Sequence, residues 1–249
     1  MKTTHRRVNR GRCVIHLSLL CLVICWVPSP VCSAEWSDTE VQLLYGNGFE
    51  LGPAEREIIT LQHASGWRYG SNFFFFDIVR PFASDTTIYG EWYSRFSLRR
   101  IAGKDRASGL LGDISASVAI NAGNGFRAYL AGTTLHFNAP RFNFLMLDVM
   151  VYDDRAREGA TYIVTPAWDL PFEIGRAKFR FRGFIDLIGA EGDFSWQLLT
   201  QPQLLIDVGS VWGDTGRFWA GVEYQYWKNK YGIENVQETV PQIMIMWRF

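Results

Sequence analysis

The last eight residues of the chain, 242–249, alternate strictly between two kinds of side chain. Every second position is large and apolar, namely Ile243, Ile245, Trp247 and Phe249, and glutamine, methionine and arginine stand between them. Because successive side chains of a β-strand point to opposite faces, this pattern predicts a strand with one apolar face and one more polar face. Such a strand, ending on a terminal phenylalanine, is typical of β-barrels that meet lipid on the outside and enclose a polar lumen.

The first 34 residues have the organisation of a secretory signal. A segment rich in lysine and arginine precedes an apolar run over 13–27, and small residues follow before Glu35. Because the apolar run is too short for a spanning helix, we predict a cleaved signal peptide over 1–34 and one barrel domain over 35–249. An uncleaved anchor is the alternative. A lipoprotein signal is disfavoured because the nearby cysteines each follow a branched residue.

Removing the signal changes the composition. All four cysteines lie within 1–34, so the predicted mature chain has no disulfide, thiolate nucleophile or cysteine metal site. The 25 Lys and Arg minus the five of the signal leave 20, against 25 Asp and Glu, a formal net charge of −5. This acidic balance excludes a nucleic-acid binder.

Turn-rich clusters divide the mature chain into short alternating runs, without an internal repeat or a composition shift that would mark a second domain. We predict about twelve strands, at 39–48, 57–65, 72–79, 87–99, 110–121, 126–137, 142–152, 161–168, 177–188, 194–207, 216–228 and 240–249. No apolar run after the signal approaches the roughly 20 residues of a membrane-spanning helix. Strands that enter a membrane must close into a barrel, because lipid offers no hydrogen-bond partner to an open sheet edge.

The predicted fold is therefore an all-β, transmembrane, antiparallel up-and-down barrel of about 12 strands in the bacterial outer membrane. An even number of strands places both termini on the periplasmic side. The outward connections would then be 49–56, 80–86, 122–125, 153–160, 189–193 and 229–239. The expected partners in this location are outer-membrane lipid, lipopolysaccharide and the barrel-assembly machinery, which would act through the C-terminal strand ending in Phe249.

Charged side chains allow the faces of several strands to be assigned. An arginine on the lipid side at mid-bilayer costs roughly 2–4 kcal/mol, so rows that contain charges face the lumen. In 87–99 this row is Tyr89, Glu91, Tyr93, Arg95, Ser97 and Arg99, and in 177–188 it is Lys178, Arg180, Arg182, Phe184 and Asp186. In 216–228 it is Arg217, Trp219, Glu223, Gln225 and Trp227, and in 110–121 it is Asp113, Ser115, Ser117 and Asn121. Segments 57–65 and 161–168 mix polar and apolar residues at both parities, which leaves their faces open.

Four consecutive phenylalanines, at 73–76, hide the alternation in the third strand. The following residue, Asp77, determines which face is lumenal, because its carboxylate must avoid lipid. Phe73 and Phe75 therefore share the lumenal face with Asp77, and Phe74 and Phe76 meet acyl chains.

The predicted lumen combines aromatic rings with charged groups of both signs. Flat rings can stack on such aromatics, a contact worth about 1–3 kcal/mol per nucleobase, and sugar hydroxyls can bind carboxylate and guanidinium groups. The candidate substrate-binding residues are Phe73, Phe75, Asp77, Tyr89, Glu91, Tyr93, Arg95, Arg180, Arg182, Trp219 and Glu223. The structural alternative for each is a cross-barrel ion pair or a ring that only fills space.

Three stretches, Tyr69–Asp77, Tyr89–Leu98 and Phe218–Trp227, resemble the nucleoside-specific channel-forming outer-membrane porin family (Tsx-like). This resemblance implies a twelve-stranded barrel that passes nucleosides and deoxynucleosides passively, with aromatic and ionisable residues along the path. The implied partner is a nucleoside-like small solute, and neither a cofactor nor an enzymatic activity is expected.

Two other classes of function remain as alternatives. His63-Ala64-Ser65 places an imidazole and a hydroxyl on one strand face, and in this alternative Glu91 orients the ring, an arrangement that resembles an outer-membrane lipid A deacylase. The only other mature histidine, His136, has no metal-ligand partner at a recognisable spacing, and no zinc or phosphate-loop motif is present. A structural or adhesive barrel that acts through its outer loops is the third class.

Overall fold

The computed structural model describes residues 34–80 and 82–249 of the chain. The predicted signal peptide lies outside these residues, apart from Ala34. Strand bounds are β1 Trp36–Asn47, β2 Glu55–Trp67, β3 Gly70–Val79, β4 Thr87–Ser97, β5 Leu111–Gly123, β6 Phe126–Phe137, β7 Phe144–Asp154, β8 Thr161–Ile174, β9 Ala177–Ile188, β10 Gln197–Thr200, β11 Gln203–Asp207, β12 Phe218–Lys228 and β13 Gln237–Arg248. One short helix, α1 (Leu98–Ile101), follows β4, and 3₁₀ turns lie at Gly209–Trp212 and Lys230–Gly232.

All strand pairs are antiparallel, and each strand pairs with its neighbours in the chain, except that β10 and β11 do not pair with each other. The segments β10 and β11 both pair with β9 on one side and β12 on the other, so they form one barrel strand interrupted at 201–202. The interruption contains Pro202, which has no N–H to donate to the ladder. The β1–β13 pair closes the sheet, with Glu40 opposite Arg248 and Gly46 opposite Gln242. The predicted closed barrel of 12 antiparallel strands is confirmed.

No helix of the described residues is long and apolar enough to cross a membrane.

The outer surface is an apolar belt made of alternate residues from every side of the barrel. It includes Leu43, Leu61, Phe76, Trp92, Val118, Val149, Phe181, Val222, Ile243 and Ile245, all of them exposed. Large aromatics gather at the end where the termini lie, hereafter the terminal end, and include Trp36, Trp212, Trp247 and Phe249. In water such a belt would be costly, whereas in lipid it is the required surface. The barrel and its belt confirm the predicted location in the bacterial outer membrane.

The face assignments from charge hold along the strands. The two segments whose faces were open are also resolved, because burial and pairing place Thr60 and Gln62 inside in β2, and Ile163 and Thr165 inside in β8. Two residues predicted to line the lumen do not. Arg99 belongs to α1, because the chain leaves the sheet after Ser97, whose side chain caps this helix, and the exposed Arg217 lies in the turn before β12.

The interior is less uniformly polar than the alternation predicts. One apolar cluster on the inside, formed by Leu44, Leu205, Trp219, Met244 and Met246, covers the closing seam of the barrel. A second, which includes Tyr93, Leu130, Met150, Tyr152 and Ile163, lies on β4–β8. Side chains on the seam side therefore fill much of the interior.

Gly132 of β6 allows β7 to approach closely. A Cβ at this position would lie 2.2 Å from the carbonyl oxygen of Val149 and 2.6 Å from the Cα of Met150. We expect Gly132→Ala to lower the free energy of unfolding by about 1–3 kcal/mol, because strand β7 must shift to accept the methyl group. Urea titration of the protein in detergent micelles measures the loss. Gly109→Ala is the control, since no atom lies within 4 Å of its added Cβ, and an equal effect of both variants would contradict the steric reason.

Candidate solute-binding site in the barrel lumen

All eleven predicted binding residues face the interior, but solvent reaches only some of them. Five are half-buried and lie together on β3 and β4: Phe73, Phe75, Asp77, Tyr89 and Glu91. The other six are buried: Tyr93, Arg95, Arg180, Arg182, Trp219 and Glu223. Of the candidates, those that a solute can touch therefore lie on the inner face of β3 and β4, and binding by any of the eleven stays a prediction.

Each of the three arginines among the candidate binding residues is bound to a carboxylate. Arg95 on β4 donates to Asp148 on β7, three strands away, at 2.7 Å. Arg180 on β9 donates to Asp169 on the adjacent strand β8 at 2.7 Å. Both contacts are ion pairs of the structural kind given as the alternative for such residues.

The third pair crosses the lumen. Both terminal nitrogens of Arg182 on β9 donate to the carboxylate of Glu40 on β1, at 2.6 and 3.0 Å, and its Nε donates to Gln203 at 2.6 Å. Glu40 also accepts from Gln42 and Gln62. The guanidinium and the carboxylate satisfy each other, so neither is available to a solute.

Five aromatic rings form a continuous row on the inner face. In order they are Phe126, Tyr89, Phe75, Phe73 and Tyr93, and successive ring centroids are 6.0–6.3 Å apart. Phe126 is the one member that sequence reasoning missed. It begins β6, and its parity matches that of the inward-facing Thr134, a signal that could have identified it.

Several lumenal carboxylates, Asp77, Glu91, Asp186 and Glu223 among them, have only uncharged hydrogen-bond partners among the described residues. Thr60 donates to Asp77 at 2.5 Å, and Thr165 donates to Asp186 at 2.5 Å. Glu91 accepts from the Tyr89 hydroxyl at 2.5 Å and from the Asn121 amide at 3.2 Å, while glutamines donate to Glu223. Since the arginines are already paired, these carboxylates are hydrogen-bond acceptors without an arginine partner.

Trp219 lies away from this face. Its ring belongs to the apolar cluster at the closing seam, its Nε1 donates to the carbonyl of Gly216 at 3.0 Å, and Arg180 lies 5.7 Å from the ring centroid. The structure therefore does not bring Trp219 together with Phe75 and Glu91.

The loops opposite the terminal end, hereafter the distal loops, are connected to one another. Lys230 donates to Glu238 at 2.5 Å and to the carbonyl of Glu50 at 3.2 Å, which ties loop 229–236 to loop 48–54. Arg157 lies 3.9 Å from the ring centroid of Phe194, and it also donates to the carbonyl of Tyr231 at 2.9 Å. These hydrogen bonds and ring contacts, hereafter the distal collar, connect the distal loops to one another at the rim of the barrel.

The structure separates the members of the hydrolase alternative. His63 and Ser65 lie on the outer face of β2, whereas Glu91 lies on the inner face of β4. His63 Nδ1 is 2.7 Å from the Thr39 hydroxyl, and its ring stacks on Phe74. Because Glu91 is on the other side of the wall, it does not orient His63, and the hydrolase alternative is not favoured.

No family model matches this sequence, and no curated protein matches it. Solved structures of porins share its fold. One is the KdgM porin in complex with disordered oligogalacturonate, with a TM-score of 0.51 and 10% identity over 85% of this chain and 99% of that chain. Another is the NanC porin, with a TM-score of 0.53 and 11% identity over 84% and 98% of the two chains. At these identities the likeness shows a porin fold, and the nucleoside-specific assignment stays a prediction.

Proposed function

We propose that this protein is a passive outer-membrane channel for small solutes, and that nucleosides and deoxynucleosides are the solutes it passes. The observation that carries the proposal is the row of aromatic rings on β3 and β4, which solvent reaches and which has carboxylates beside it. A nucleobase can stack on these rings, and the hydroxyls of its sugar can donate to Asp77 and Glu91. The porin fold supports passage through the barrel.

The charges of the lumen argue against acidic sugars. Oligogalacturonate, which was crystallised with KdgM, is a polyanion. In this chain Arg95, Arg180 and Arg182 are each bound to a carboxylate, so no lumenal guanidinium among them is free for an anionic solute. Solutes without negative charge therefore suit this interior better.

A swelling assay tests the channel. Proteoliposomes that contain the protein should swell faster in adenosine or thymidine than in a sugar of similar mass. Equal swelling rates in nucleosides and sugars would contradict the proposed nucleoside specificity. Swelling no faster than that of empty liposomes would contradict the proposed channel.

The contribution of the ring row is tested with neighbouring phenylalanines. Phe75→Ala should weaken nucleoside block of the ion current in planar bilayers by about 5-fold or more, because stacking on one ring is worth roughly 1–3 kcal/mol. Phe76→Ala is the matched control, since Phe76 is the next residue and faces outward on the belt. Unchanged block in the Phe75 variant would show that the solute does not use this ring.

A further inference from the structure

The inner face of β3, β4 and β5 alternates rings with carboxylates. Phe75 lies directly across from Glu91, and Asp77 lies directly across from Tyr89, so each carboxylate has a ring as its cross-strand neighbour. Asn121 of β5 lies across from Glu91 on its other side. Both carboxylates are half-buried and remain within reach of solvent.

Among the described residues, no cation is hydrogen-bonded to either carboxylate. Glu91 accepts from the Tyr89 hydroxyl and the Asn121 amide, and Asp77 accepts from the Thr60 hydroxyl. Arg95, on the same strand as Glu91, is bound to Asp148 instead. Partly desolvated carboxylates without a counter-ion are costly, so a cation that arrives here offsets an existing penalty.

A second observation shows that a donor is missing as well as a charge. Asn121 is only 4% exposed, and its Oδ1 accepts no hydrogen bond from the part of the chain that the structure describes, although its Nδ2 donates to Glu91. The same pattern occurs at Gln242, which is 1% exposed: its Nε2 donates to Glu223 at 2.8 Å, and its Oε1 has no partner. Buried acceptors of this kind are almost always paired in proteins.

We propose that this face, formed by Phe75, Asp77, Tyr89, Glu91 and Asn121, binds the protonated amine of a small organic solute. The ammonium group pairs with Glu91 and Asp77, and one of its hydrogens is donated to Asn121 Oδ1. The rings of Phe75 and Tyr89 add cation–π attraction and contact the apolar body of the solute. No cluster of His, Cys, Asp and Glu with metal-binding potential occurs in 34–80 and 82–249, which favours an organic cation over a bound metal ion. This inference rests on the proposed channel function and adds organic cations, as a second class of solute, to the uncharged nucleosides.

The experiment compares three solutes of nearly equal shape in planar bilayers that contain the purified protein. Phenethylamine is a cation at neutral pH, 2-phenylethanol is neutral and phenylacetate is an anion. We expect phenethylamine to reduce the potassium chloride current at a concentration at least about tenfold lower than 2-phenylethanol, and phenylacetate to be the weakest of the three.

Two variants and one control locate the effect. Glu91→Gln and Asn121→Leu should each remove most of the preference for the amine, and they do so by different means, loss of charge and loss of an acceptor. Glu57→Gln removes a carboxylate from the exposed outer face of β2 and should leave the preference unchanged. If a variant does not fold, calorimetry still measures whether phenethylamine binds to the wild-type protein in detergent.

The outcomes separate the inference from the function on which it rests. Equal block by the amine and the alcohol, with a normal current, overturns the amine site and leaves the channel intact. A preference that survives in both Glu91→Gln and Asn121→Leu also overturns the site. The absence of any current from folded protein overturns the channel, and the inference with it.

Discussion

Replacing Arg182 by methionine is expected to lower the free energy of unfolding by about 3–5 kcal/mol. The guanidinium of Arg182 joins β9 to β1 across the lumen, and both partners are nearly inaccessible to solvent. The variant leaves the carboxylate of Glu40 buried without a cation and also removes the donor to Gln203. Urea unfolding in micelles, followed by the change in gel mobility between folded and unfolded barrels, measures the loss.

Two further variants separate the loss of the pair from the loss of one partner. Arg182→Met combined with Glu40→Gln should recover most of the stability, because no unpaired charge remains inside. Arg217→Met is the control: its pair with Asp214 has 3.6 Å between nitrogen and oxygen and is exposed, so a change of at most about 1 kcal/mol is expected. If the double variant is as unstable as Arg182→Met alone, the unpaired carboxylate is not the cause.

Lys230→Met should loosen the distal collar without unfolding the barrel. Lys230 is 1% exposed although it lies in a loop, and it binds Glu238 and the carbonyl of Glu50. Burial lowers the pKa of its ammonium group, and the hydrogen bond with Glu238 opposes this shift. Removing the ammonium leaves Glu238 buried, with the N–H of Glu50 and the amide of Gln225 as its remaining donors.

The expected result is cleavage of the loops 48–54 and 229–236 by proteinase K at least about tenfold faster than in the wild-type protein, because local opening governs such cleavage. The matched control is Lys228→Met, since Lys228 is exposed and its Nζ lies 5.0 Å from the centroid of the Trp196 ring, in place of a buried carboxylate. Equal protection of both variants would show that the collar does not depend on the buried pair.

The alternation in 242–249 was sufficient to predict strand β13, which of its side chains face outward and which inward, and the type of barrel. Ile243 and Ile245 are exposed on the belt, and Gln242, Met244 and Met246 are buried inside, as the period of two requires. The assignment of Phe75 inward and Phe76 outward rested on one neighbouring carboxylate, Asp77, and the structure agrees. These are local properties, because lipid penalises a charge at any position on the outer face.

The predicted strand ends were less accurate where a strand is followed by a turn that contains charged residues. The predicted strand 87–99 stops at Ser97, because its hydroxyl caps α1, and Arg99 leaves the lumen with that helix. The charge rule cannot detect this, since a charged residue in a turn satisfies the alternation as well as one in the lumen does.

By itself, the sequence determined the strands, the closure into a membrane barrel and the inward direction of the eleven candidate residues, because each follows from side-chain parity and the cost of charge in lipid. Only the tertiary structure decided which of them solvent can reach. Arg182 pairs with Glu40, 142 residues away in the chain, while the donors to Glu91 among the described residues are the uncharged Tyr89 and Asn121. Such partners are set by closure and by the register of distant strands, and alternation along a single strand carries no information about either.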